Sequence, residues 1–190
     1  MMLFSVRYDR EDAILLLSHH LRYLLHSKPI ARELVVVCIG TDRSTGDSLG
    51  PLVGSRLKEM RSDLPVYGTL EDPIHALNLD EKYAKILFAH HPSYVLAIDA
   101  CLGAVGSVGS VTLDAGPLLP GAGVHKKLRE VGDLHIKGMV NVSGFMEYMV
   151  LQNTRLGLVF PMSRVIARGI DLAVSLSKSH NTEKRMHKLQ

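Results

Sequence analysis

The stretch Leu34-Val35-Val36-Val37-Cys38-Ile39-Gly40-Thr41-Asp42-Arg43-Ser44-Thr45-Gly46-Asp47-Ser48-Leu49-Gly50-Pro51 decides the fold. Its first six residues are apolar and largely β-branched, without polar alternation, which is the pattern of a central parallel strand covered on both faces. Gly40 closes the run and a polar loop follows. Leu49, Leu52, Val53, Leu57 and Met60 then recur at helical spacing. Strand, loop and helix make the first half of a βαβ unit.

Working outward, the same grammar repeats. Upstream, Ile14, Leu17, Leu21, Leu24 and Leu25 predict an amphipathic helix over 10–27, ended by Pro29. Downstream, a short strand at Val66–Thr69 leads to a helix over about 75–90, closed by His91-Pro92. Tyr94–Ile98 is a second buried strand that stops at Asp99, and Val108–Asp114 alternates loosely, as an outer strand does. A Gly/Pro-rich loop (116–123), a short basic helix and a strand over 134–141 follow. Helices over 144–154 and 158–178 close the chain, with Pro161 in the first turn of the second. The expected fold is a single α/β domain over 1–190, a three-layer sandwich with a mostly parallel central sheet and helices on both faces, of the phosphorylase/hydrolase-like kind.

Composition bounds the function. At 190 residues with 46% hydrophobic and 22% charged side chains, the chain builds one ordinary core. Its formal charge of +3 comes from the end of the chain, where Lys178, Lys184, Arg185 and Lys188 face only Glu183. Residues 1–177 balance at 18 cations against 18 anions, so there is no broad basic face for nucleic acid. The basic end reads as a solvated helix terminus whose cations complement the helix dipole. Cys38 and Cys101 read as reduced thiols rather than a bridge. Asp9, Glu11, Asp12, His19 and His20 interrupt any leader-like run near the start, and no apolar run approaches the ~18 residues of a membrane span, so the expected location is the cytoplasm, without membrane contact.

Ligands of open α/β sheets sit outside the carboxyl ends of the strands. Asp47 follows one buried strand and Asp99 ends the other, so neighbouring strands would place two carboxylates across one crevice. Such a pair can share a proton and activate water, or hold a metal ion. Singly, Asp47 is equally an N-cap and Asp99 a partner for loop amides. Jointly, a loop carrying Asp42, Ser44, Thr45, Asp47 and Ser48 is more polar than a cap requires. The loop is no phosphate cradle: Gly40 to Gly46 is one residue too long for the Walker spacing, and Asp47 stands where its lysine belongs. Gly103, Gly106 and Gly109 precede a strand rather than follow one, which argues against a dinucleotide. Cys101 beside Asp99, with His125 or His135 as a remote base, is the thiol alternative, although a lone cysteine at a strand is more often a small core residue. The ten histidines show no paired metal spacing, so no cofactor is expected. The alternative is one divalent metal ion on Asp47 and Asp99 with His125 or His135.

These residues resemble a known family. Thr45-Gly46-Asp47-Ser48-Leu49-Gly50-Pro51 resembles the T-P-D-x-L-G-P element of the bacterial spore germination proteases, Ala97-Ile98-Asp99-Ala100 their I-D-A element, and Pro120-Gly121-Ala122-Gly123-Val124 their P-G-S-G-V loop. The three occur in the same order, over roughly residues 34–145, and most resemble the short YyaC-type sporulation proteins. The resemblance implies a three-layer fold shared with the hydrogenase maturation endopeptidases. It implies catalytic aspartates at Asp47 and Asp99, and a location in the sporulating cell or forespore. It further implies an endopeptidase acting on small acid-soluble spore proteins, or a non-catalytic sporulation protein that binds a peptide in the same cleft. In the maturation enzymes the equivalent acids, with a histidine, hold a metal. Gly46 replaces the family's proline, which loosens the loop, and His125 stands where the pattern continues G-N.

The expected mechanism uses one ionised and one protonated aspartate. Asp42, Ser44, Thr45, Gly121, Gly123 and His125 orient the pair or shape the substrate loop. The expected partner is a protein or peptide, with no direct nucleic acid, and a homo-oligomer is left open.

Overall fold

The computed structural model describes residues 4–26, 33–121 and 128–187, with backbone only beyond Ser177. The expected Pro29 helix stop, much of the short basic helix, Gly123 and His125 lie outside the described residues.

A six-stranded sheet organises the chain. Its strands are β1 (Phe4–Arg7), β2 (Glu33–Cys38), β3 (Val66–Tyr67), β4 (Ser93–Gly103), β5 (Ser110–Ala115) and β6 (Leu134–Val142), in the spatial order β1-β5-β6-β4-β2-β3. β3, β2, β4 and β6 run parallel; at one side β5 pairs antiparallel to β6, and β1 pairs antiparallel to β5 and so runs with the parallel set. The helices are α1 (Ala13–His26), α2 (Leu49–Met60), α3 (Leu79–Ala89), α4 (Glu147–Gln152) and α5 (Leu156–His187).

The unbroken apolar run of β2 is explained by its two covered faces. Val36 and Cys38 join Leu96, Ile98, Leu134 and Ile136 under α1, α2 and α5. Val35 and Val37 join Val95 and Ala97 under Ile86, Leu79 and Tyr83 of α3. Because side chains alternate across a strand, one sequence run feeds both layers. On α1, Ala13, Leu17 and Leu21 are buried at intervals of four, and the helix packs along α5.

Four sequence expectations change. β4 does not stop at Asp99; it continues to Gly103, because β6 keeps pairing with it as far as Gly103↔Val142. β5 is not the outer strand, since β1 pairs along it from Phe4↔Leu113 to Arg7↔Ser110. That four-residue strand is too short to show a period. α3 begins at Leu79 rather than near 75, because Asn78 holds the preceding turn: its Oδ1 accepts the His75 N–H (2.9 Å) and its amide donates to the Pro73 carbonyl (3.1 Å). α5 begins at Leu156, which leaves Pro161 inside the helix rather than in its first turn. Among the described residues, no helix is long and apolar enough to cross a membrane.

Leu96 is fully buried at the centre of β4, whereas Leu15 is half exposed on α1. Leu96→Ala should therefore lower the unfolding free energy by about 3 kcal/mol in urea titration, and Leu15→Ala by about 0.5 kcal/mol or less.

Candidate active site

The cleft is made where β2 and β4 part. Their last shared bond runs from the Ile39 N–H to the Ile98 carbonyl (2.7 Å). The next residue, Gly40, turns away with φ +139° and donates instead to Ile74 (2.8 Å). A side chain at Gly40 is excluded twice, by this φ and by the Asp47 carbonyl, which lies 2.0 Å from where its Cβ would stand. The Thr41 N–H then donates to that same carbonyl (3.1 Å), which folds the polar loop back over the strand end. Asp99, one residue past the separation, keeps its ladder partner Lys137 on β6 but has no strand on its other side.

Asp47 sits in a single 3-10 turn (Gly46–Ser48) that runs into α2. It is not the cap of either element: Thr45 and Ser48 occupy those positions, and neither makes a side-chain cap bond. Gly46 does not loosen this turn. It is buried, and a Cβ there would lie 2.9 Å from the Leu151 carbonyl of α4 and from Thr154 Oγ1. A proline ring does not fit that contact, so the departure from the family pattern is a packing requirement of α4.

Asp47 and Asp99 line one cleft of about 350 Å³ with Thr41, Arg43, Ser44, His75, Leu77, Gly121 and Tyr148 around them. Burial pushes the Asp47 carboxyl up to about 6. Asp99, 7% exposed, is raised well above the usual carboxylate range, first by burial and then by the Asp47 charge. The Ala100 N–H donates to its Oδ1 (2.9 Å), and this bond and the charge of Lys137 pull the other way. Among the described residues, the backbone amide that donates to the Asp99 carboxyl is that of its own neighbour, Ala100. Both carboxyls are therefore raised, and the Asp47 charge acting on Asp99 makes them two acids that cannot both ionise cheaply.

The loop residues divide. Ser44 reaches the cleft, and its buried Oγ has no hydrogen-bond partner among the described residues. Gly121 also lines it. Asp42 is exposed outside it, and Thr45 serves the turn, accepting the Ser48 N–H and hydroxyl on its carbonyl (3.3 and 2.7 Å). His135 is turned elsewhere: its Nδ1 faces the Gly116 carbonyl (2.9 Å) and its Nε2 lies 3.7 Å from Asp114. It is not among the lining residues, and no three His, Cys, Asp or Glu of the described residues are grouped to hold a metal ion. His135 is therefore not placed to join Asp47 and Asp99 on a metal ion, and His125, the other candidate, lies outside the described residues. Burial raises the Cys101 thiol and keeps it protonated, against a nucleophilic role. Arg43, His75 and Tyr148 were not singled out by sequence, because helical periodicity absorbs a histidine or tyrosine as readily as a site does.

Comparison with known proteins adds the following. The protein family described as "Protein of unknown function (DUF1256)" matches residues 5–169. A protein of Bacillus subtilis (strain 168), described as "Uncharacterized protein YyaC", is 57% identical over 164 residues, spanning 86% of this chain and 78% of that protein. The crystal structure of the [NiFe] hydrogenase maturation protease HycI from Thermococcus kodakarensis KOD1 superposes with a TM-score of 0.49 at 17% identity, covering 78% of this chain and 99% of that one.

The raised carboxyls have a stability consequence. A carboxyl that titrates higher in the fold than in the unfolded chain destabilises the fold once it ionises. Asp47 thus costs nothing below its unfolded pKa near 4, and its cost grows until pH passes about 6. Asp47→Asn should unfold about 2 kcal/mol less readily than wild type near neutral pH, a gain that disappears below about pH 4 in urea titrations.

Proposed function

This chain belongs to the DUF1256 family, and from the chemistry of its cleft we propose that it is an endopeptidase in which Asp47 is the general base and Asp99 the general acid. The observation that carries the reading is a half-buried and a buried carboxyl, Asp47 and Asp99, lining one cleft and both raised by burial. An acid pair that cannot ionise together holds one proton between two groups, so that one member accepts a proton while the other donates one.

In this reading a peptide carbonyl enters between the two groups. The Asp47 carboxylate takes a proton from a water as its oxygen bonds to the carbonyl carbon, and the Asp99 carboxyl gives its proton to the carbonyl oxygen. The tetrahedral intermediate then collapses: the C–N bond breaks, the proton on Asp47 passes to the leaving amine, and the hydroxyl proton returns to Asp99. Ser44 Oγ, which has no partner among the described residues, donates to the developing oxyanion. An orphan hydroxyl is costly in the free protein and satisfied only on binding, so its energy favours the occupied cleft. Ile39, Ala76, Leu128 and Leu151 give the cleft apolar walls that exclude water and raise both carboxyls.

The sequence resemblance to the spore germination proteases makes small acid-soluble spore proteins the first substrates to test, and the sporulating cell the first place to look. Asp47→Asn and Asp99→Asn should each lower their cleavage by roughly 10²–10⁴-fold while the protein stays folded. Cleavage should rise as pH increases through about 6, where Asp47 ionises, and a chelator should leave it unchanged. Activity that survives both substitutions removes the reading. Binding of the same proteins without cleavage by folded wild type replaces it with a binding role.

A further inference from the structure

The far end of α2 carries a second concentration of unmatched charge. A groove of about 280 Å³ between α2 and α5 is lined by Arg56, Glu59 and Met60 on one side and by Phe160, Arg164 and Arg168 on the other. We propose that this groove docks an acidic segment of another protein, one that carries apolar residues beside its carboxylates.

The arginines here are treated differently from three others in the chain. Arg7, Arg10 and Arg61 are each engaged by an aspartate two residues on: Asp9 (3.0 Å), Asp12 (2.8 Å) and Asp63 (3.0 Å). None of the three in the groove has such a partner. Arg164 and Arg168 are exposed, one turn apart on α5, and make no ion pair or hydrogen bond with the described residues. Like charges at this spacing disfavour the helix that carries them, so an anion between them relieves a repulsion. Arg56 is held in place from below: its Nε donates to the buried Ser163 Oγ (3.2 Å), and its guanidinium lies 4.4 Å over the Phe160 ring. A fixed guanidinium presents its free edge as a fork that fits a carboxylate.

Charge complementarity selects the anion, and the flanks select its kind. Glu59 is the one carboxylate among the lining residues, so two positive charges are left over. Phe160 and Met60, 43% and 44% exposed, stand beside them and are covered only by a ligand with apolar groups. Inorganic phosphate leaves both uncovered. A nucleic-acid strand gains its affinity from many phosphate contacts, which two net charges do not supply. An Asp/Glu segment interleaved with Leu or Phe meets both demands. At the usual helical rise, Arg56 to Met60 lie roughly 10–17 Å along α2 from its first residue at the cleft end, and groove and cleft share no residue.

The test uses the full chain carrying Asp47→Asn, so that no cleavage consumes the probe. A short fluorescent peptide alternating Glu with Leu should bind, with an affinity that falls as salt rises. Arg164→Glu with Arg168→Glu should weaken it by roughly tenfold or more, and the milder Arg164→Gln with Arg168→Gln pair should weaken it less. Arg22→Glu with Lys85→Glu, which alters net charge equally on other helices, should leave binding within about twofold, all variants melting as the parent does. Absence of peptide binding, or equal loss in both charge-reversed pairs, overturns the proposal. So does tighter binding of a single-stranded oligonucleotide through the same arginines, or a concentration-dependent dimer in light scattering that the Arg164/Arg168 variants abolish. None of these outcomes bears on the aspartate pair.

Discussion

The contact on which the site depends is the approach of the Asp47 carbonyl to the backbone of Gly40. At 2.0 Å from the place of a Cβ, it leaves no room for any side chain, and the Thr41 N–H fixes it there at 3.1 Å. This closure does two things at once. It frees β2 from β4, so that Asp99 faces a crevice instead of a neighbouring strand, and it sets Asp47 over the opening. The carboxylates come together because the backbone does, and no side-chain bond between them is required.

The price of that arrangement is electrostatic. Burial raises both carboxyls, and the Asp47 charge raises Asp99 further. Only Lys137 and the Ala100 N–H work against it at Asp99. Ser44 adds a buried hydroxyl without a partner among the described residues. Each is unfavourable to the fold and all three line one cleft, while the sheet around them is packed on both faces largely by aliphatic side chains.

The loop is held from its other side by α4. Gly46 is buried under Leu151 and Thr154, and Thr154 Oγ1 in turn accepts from the Asn141 amide of β6 (3.1 Å) and donates to the Val150 carbonyl (2.8 Å). A helix of six residues has little stability of its own, so α4 stands by docking against the turn that carries Asp47. Site and support are therefore mutual. Tyr148 on the same helix extends the cleft wall outward.

The sequence by itself determined the layers. An aliphatic run without alternation can only be a strand covered twice, and the helical repeats on either side supply its cover, so the parallel core and its helices were legible from residues 34–60 and 94–98. The two aspartates were legible too, since a polar loop after such a strand and an acid following another are local features. Tertiary structure decided the rest. Whether β4 ends at Asp99 depends on β6, more than thirty residues away. Whether Gly46 loosens or locks its turn depends on α4, a hundred residues on. Arg43, His75 and Tyr148 join the cleft, and His135 leaves it, through turns and pairings that no local period encodes. Periodicity records which face of an element is covered; which elements meet at a strand end is set by long-range packing, and the protonation of the carboxyls there follows from that packing.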